Sequence, residues 1–199
     1  MKKQLSRTSV IKSLLFAIIL TALFLPSRSL AQSSGWPSDS TQIKAYIDTK
    51  MKKPSYPRAV GYVSFILPLV TVSNSTTFNF NSTTTAIGFP VGVNVLYSDH
   101  FGFSYEFTPT IKTTNGGATK VTDILFDPGT MFRFQHGFTL ITRLAFDTNG
   151  RYGFTPVFNQ VYLRTKDVNY FVALSLPARF GTGEDASVGL NLQIGFIFN

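Results

Sequence analysis

The sequence predicts an all-β fold: an eight-stranded antiparallel up-and-down transmembrane β-barrel with a short N-terminal amphipathic helix ahead of it. Three observations predict it. The 199-residue chain is 44% apolar and 15% aromatic but only 14% charged, against ~25% charge in ordinary soluble domains. After Arg58 the hydrophobicity alternates with a period of two in strand-length runs separated by short turn signals. The rings of those runs crowd onto one of their two faces. The composition excludes a disordered chain, and the absence of cysteine excludes a disulfide scaffold and a thiolate metal site.

The first element is a targeting segment. Lys2, Lys3, Arg7 and Lys12 form a basic n-region, Leu14 to Leu25 is an apolar run, and Ser29-Leu30-Ala31 is a small-x-small cleavage site. Residues 1–31 therefore read as a secretory signal peptide, since the run is shorter than the ~17 to 25 residues a spanning helix needs. Removing it leaves 13 basic against 10 acidic residues. The high pI belongs mostly to the leader, so nucleic acid is excluded as a partner.

Residues 32–57 form a lead-in. From Ser40 to Lys53, Ile43, Tyr46, Ile47 and Met51 recur at helical spacing against Lys44, Lys50 and Lys52, with Asp39 able to cap the start and Pro54 and Pro57 ending the pattern. This short amphipathic helix has two readings, lying on the inner leaflet or docking in the barrel mouth.

Residues 58–199 hold eight runs, near 59–71, 84–97, 101–112, 119–134, 138–147, 151–164, 169–180 and 186–198. The links between successive runs are short, which implies an antiparallel meander; the one long connection is the Ser-, Thr- and Asn-rich stretch from Val72 to Thr83. In the third run Phe101, Phe103, Tyr105, Phe107, Pro109 and Ile111 share one face, and Gly102, Ser104, Glu106, Thr108 and Thr110 the other.

Volume decides which face looks inward. Extending the parity over runs two to eight puts 18 rings on the bulky face and only Phe171 opposite. An eight-stranded barrel is just wide enough to be filled by side chains or to hold one small ligand, so the rings face outward. An exposed apolar belt of that size needs lipid around it. A chain with no spanning helix crosses a membrane only as a closed barrel, in which every backbone N–H and C=O is paired. The competing reading is a soluble secreted lipid-binding barrel of the lipocalin kind, with the faces inverted.

On these features, and on a last run ending Ile194-Gly195-Phe196-Ile197-Phe198, residues 58–199 resemble the small eight-stranded outer-membrane β-barrel proteins of Gram-negative bacteria. The resemblance implies outer-membrane lipid as surroundings and the barrel-assembly machinery as a partner, reading the C-terminal strand; here the terminal aromatic, Phe198, is penultimate. It also implies both chain ends in the periplasm. The turns at 98–100, 135–137 and 165–168 are then periplasmic, and Tyr97, Phe101, Phe134, Phe138, Tyr162, Tyr170 and Phe198 form the girdle beside them.

The same parity sends Glu106, Asp123, Asp127, Arg133, Arg143 and Arg179 into the lumen, three acids against three arginines. Buried charges persist when paired, so the set reads either as a structural network or as the gate of a polar path. Pro68, Pro90, Pro109, Pro128, Pro156 and Pro177 interrupt runs whose ladders need every N–H. All but Pro128 lie toward the outer loops, and they read either as bulges or as a lateral opening for an apolar molecule. A lipid A palmitoyltransferase is similar in layout and implies a catalytic histidine near the outer surface; His100 and His136 instead fall in predicted periplasmic turns. No nucleophile motif, metal-ligand spacing or phosphate-binding loop is present, so no catalytic residue, cofactor or metal is assigned. The function predicted is a non-enzymatic barrel, structural or a narrow conduit for small apolar molecules, with a lipid-modifying enzyme as the alternative.

Overall fold

A computed structural model of the chain describes residues 55–80, 84–114, 117–181 and 183–198. The segments read as signal peptide and amphipathic helix lie outside the described residues. The strands in chain order are β1 (Arg58–Val72), β2 (Thr76–Phe78), β3 (Thr84–Gly88), β4 (Val91–Leu96), β5 (Phe101–Thr114), β6 (Lys120–Arg133), β7 (Phe138–Asp147), β8 (Tyr152–Arg164), β9 (Val168–Ser175), β10 (Ala178–Phe180) and β11 (Ser187–Phe198). Neighbours pair antiparallel, and β11 returns to β1, from Tyr62 opposite Ile197 to Val72 opposite Val188. That last ladder closes the sheet into a barrel and leaves no edge.

The barrel has eight staves, as the period-two runs predict. Two of them are written as two strands each, because a proline interrupts the ladder: β3 and β4 flank Phe89-Pro90, and β9 and β10 flank Leu176-Pro177. The remaining piece, β2, pairs with the end of β1, so the polar Val72–Thr83 connection carries a short strand that its composition hides.

Proline has no N–H to give, and at four of the six positions its carbonyl carries the bond across instead. Pro90 O accepts from Ser64 N at 2.9 Å, Pro109 O from Phe89 N at 3.0 Å, Pro156 O from Leu176 N at 3.0 Å and Pro177 O from Gly189 N at 2.8 Å. Pro68 sits where the β1–β11 register shifts, a bulge. Pro128 lies opposite Tyr105 in mid-strand, at a point where the β6–β7 ladder lapses between Phe126 and Gly129.

Short turns join the staves at the rim that holds Arg58 and Phe198, called here the terminal rim. Ser98 Oγ accepts from Phe101 N at 2.9 Å, and the 3₁₀ turn Gln135–Gly137 is possible because His136 and Gly137 take positive φ, 61° and 85°. At the opposite, loop rim, Arg151 pairs with Glu184 at 2.8 Å and Asn74 donates to Asp185, tying loops together. The 14 residues of β5 run about 46 Å, or about 35 Å along the axis at a usual barrel tilt. That exceeds the ~25 Å apolar band of such barrels, so the staves project beyond the membrane.

Outward positions carry the rings. Phe107 and Tyr152 are each 55% exposed, while Phe171 is 5% exposed inside. Tyr97, Phe101, Phe134, Phe138, Tyr162, Tyr170 and Phe198 all lie near the terminal rim, in contacts such as Tyr97–Phe103 at 5.7 Å, Phe134–Phe138 at 5.6 Å and Tyr162–Tyr170 at 6.4 Å between ring centres.

Candidate functional site in the barrel interior

A polar network crosses the lumen at mid-height. Glu106 on β5 and Arg143 on β7 form an ion pair at 2.9 Å, with side chains 1% and 4% exposed. Tyr62 on β1 donates its hydroxyl to Glu106 Oε2 at 2.7 Å and accepts from Arg143 Nη2 at 2.9 Å. Arg143 also donates to Ser104 Oγ at 3.1 Å, Thr108 donates to Glu106 Oε1 at 3.2 Å, and Gln193 on β11 donates to Ser64 Oγ at 2.8 Å. Such a pair survives burial because most of its remaining valences are hydrogen-bonded, with Arg143 Nε left without a partner. The members come from β1, β5, β7 and β11, so the network spans the barrel.

Two glycines make the crossing possible. A Cβ on Gly92 would lie 2.3 Å from the Tyr62 ring, and one on Gly129, which faces Arg143 across the ladder, would lie 2.7 Å from Arg143 Cγ. The period-two code puts small residues inward, and these two leave the room that one large ring and one long side chain take up.

Of the six charges expected in the lumen, the structure pairs two, Glu106 and Arg143, and places a third, Asp127, beside them. Asp127 is directly opposite Glu106 on the ladder; it is buried, and its Oδ1 has no partner. Arg179 lies on the loop side and donates to Thr155 Oγ1 at 2.9 Å. Asp123 sits further toward the loops, held by Thr122 Oγ1 at 2.7 Å and Thr110 Oγ1 at 3.1 Å. Arg133 is at the terminal rim, far from the network.

The network divides the interior into two chambers, both lined by Arg143, Val157 and Gln193. The loop-side chamber, about 100 Å³, has mostly polar side chains around it, among them Thr108, Thr110, Asp127, Ser175 and Arg179. The terminal-side chamber, about 270 Å³, is walled by Val60, Leu96, Met131, Ile141, Val157 and Phe171. Its mouth carries Arg58, Arg133 and Arg164, with Asp99 as the acid among them. Tyr56, just ahead of β1, packs against this apolar cluster and donates its hydroxyl to Asp99 Oδ1 at 2.5 Å. That carboxylate, accepting the hydrogen bond, holds the Tyr56 hydroxyl above the usual phenol range.

Both histidines are at the terminal rim. His100 Nδ1 faces Arg133 O at 3.3 Å, and His136 gives its backbone carbonyl to Gln160 Nε2 at 2.9 Å. Among the described residues no cluster of three or more His, Cys, Asp or Glu is arranged to hold a metal.

Sequence parity misses several interior residues. Tyr62 escapes because parity was extended only over runs two to eight. Arg164 escapes because the β8–β9 register shifts between Val161 and Leu163; the bulge reverses the parity and turns Arg164 inward. Asn94 and Asn159 carry no charge to mark them, and Arg58 sits at the first residue of its strand.

The closed ladder and the outward apolar belt define the class: the chain is a small eight-stranded transmembrane β-barrel of the outer-membrane kind. No family model and no curated protein matches the sequence. Among solved structures it is similar to the de novo designed protein TMB2.3, at 11% identity and a TM-score of 0.43, covering 72% of this chain and 94% of that one. It is also similar to the outer membrane protein OprG from Pseudomonas aeruginosa, at 9% identity and a TM-score of 0.34, covering 70% of this chain and 93% of that one.

Proposed function

We propose that the protein is a non-enzymatic outer-membrane barrel, with its chain ends and short turns in the periplasm, that admits small apolar molecules into its interior from the periplasmic side. One observation carries the reading. The interior is neither solid nor an open pore, because the Glu106–Arg143–Tyr62–Gln193 network separates a larger chamber at the terminal rim, where the buried apolar cluster stands beside Asn94, Thr139 and Asn159, from a smaller one toward the loops. A molecule entering at the terminal rim passes Arg58, Arg133 and Arg164 at the mouth, then the apolar cluster, and then a paired, hydrogen-bonded barrier. Both imidazoles lie at the rim, apart from the interior carboxylates, which favours binding or conduction over catalysis.

Planar-bilayer recording tests this. The unmutated protein is expected to give no large, steady conductance, and Arg143→Ala to give flickering currents as the barrier loosens. Large steady currents from the unmutated protein would show a water-filled pore and overturn the reading. Loss of a lipid-modifying activity on mutating His100 and His136 together, with the barrel still folded, would favour the enzyme instead.

A further inference from the structure

The terminal-side chamber has the chemistry of a binding site at three depths. At the mouth, Arg58, Arg133 and Arg164 converge from β1, β6 and β8. Among the described residues the ion pairs are Glu106–Arg143 and Arg151–Glu184, so none of these three guanidinium groups is within ion-pair distance of a carboxylate. The one acid beside them, Asp99, is occupied by the Tyr56 hydroxyl. Arg164 is there only because of the bulge at Tyr162, and a bulge that re-aims a charged side chain into a cavity is a feature of binding sites.

One layer further in stand Asn94 and Asn159. They are 5% and 6% exposed, both line the chamber, and the Oδ1 of each has no hydrogen-bond partner. They come from β4 and β8, on opposite walls of the barrel. A buried amide oxygen without a donor costs free energy, and since both oxygens are themselves out of contact with the open space, it is the rest of each amide side chain that borders the chamber. Deeper still, Ile141, Val157 and Phe171 offer only carbon, down to the floor set by Tyr62 and Arg143.

We infer that this chamber binds a single-chain anionic amphiphile. The head lies among the three arginines, and the tail reaches the apolar cluster below them. The chamber's 270 Å³, from the arginine mouth to the floor, equals about nine water molecules of liquid volume, so a head group and a short tail together fill it. This deepens the proposed function by replacing a purely apolar ligand with an amphiphile whose head the arginine mouth can hold, and it rests on that reading for the side from which the ligand enters.

The test uses the full mature protein in phospholipid nanodiscs, with empty nanodiscs as the blank. The probes are a series of straight-chain alkanoates and the matching alkanols. Alkanoate affinity is expected to rise about fourfold per added methylene and to level off once the chamber is full. Arg164→Gln, at an exposed position, should weaken alkanoates about threefold at low salt and leave alkanols unaffected. The heat-dependent gel shift of each variant confirms that its barrel is folded.

Three outcomes would overturn the inference: no saturable binding above the empty nanodiscs, affinity that climbs with chain length without levelling off, or equal affinity for alkanoates and alkanols. Failure of the parent reading looks different. Saturable alkanoate binding by a protein that also gives large steady currents would keep the site and remove the closed barrel.

Discussion

The two halves of the lumen follow the same alternation yet reach different solutions. Toward the loops, inward positions are Thr108, Thr110, Asp123, Asp127, Thr155, Ser175 and Arg179, and the space they leave is small. Toward the terminal rim they are Val60, Leu96, Met131, Ile141, Val157 and Phe171, and the space is nearly three times larger. A tight loop-side half and a roomier terminal-side half, called the apolar half for the cluster of Val60, Leu96, Met131, Ile141, Val157 and Phe171 that it holds, are two packings of one barrel, and the Glu106–Arg143 pair is their boundary.

Removing the boundary is the strongest way to break this contrast. Arg143→Ala strands Glu106 beside Asp127 in a buried site, and losing one partner of such a pair typically costs ~3 to 5 kcal/mol. Glu106→Gln should cost less, about 2 kcal/mol, because an amide oxygen still accepts from Tyr62 and Arg143. Urea unfolding of the reconstituted protein measures both. Equal losses would mean that charge matters more than hydrogen-bond shape, and no loss from Arg143→Ala would remove the network from the energetics of the fold.

The apolar half should respond more weakly. Ile141 is 5% exposed and lines the larger chamber, so part of its surface already faces empty space rather than neighbouring atoms. Ile141→Ala is expected at the low end of core truncations, about 2 kcal/mol. The same unfolding measurement checks it, and a loss as large as that of Arg143→Ala would show that the chamber is packed more tightly than its volume implies.

The unevenness of the interior also explains what could be read from the sequence. Strand positions and the outward ring face were legible because period two is a backbone property and because Phe and Tyr are too large for the lumen. Glu106, Asp127 and Arg143 were legible because a charge on an inward position stands out against its neighbours. Arg164 was not, since a bulge is one extra residue and leaves no compositional trace. The chamber was not legible either: a cavity is what side chains fail to fill, and no residue encodes it. The prolines lay between, visible as ladder defects but silent on whether their carbonyls would carry the bonds across.

The finest test of the boundary is Tyr62→Phe. The ring stays, still fitted over Gly92 and edge-on to Phe171 at 6.2 Å, so the apolar half keeps its wall. What goes is one hydroxyl that both donates to Glu106 and accepts from Arg143. Those two groups still face each other at 2.9 Å, so neither charge is stranded, and the loss should be about 1 kcal/mol, that of a single buried hydrogen-bonding group. Because the pair remains in place, the barrier between the chambers should hold and bilayer conductance should stay at the unmutated level. A much larger loss, or new conductance, would mean that the tyrosine hydroxyl positions the ion pair and that the boundary is a triad.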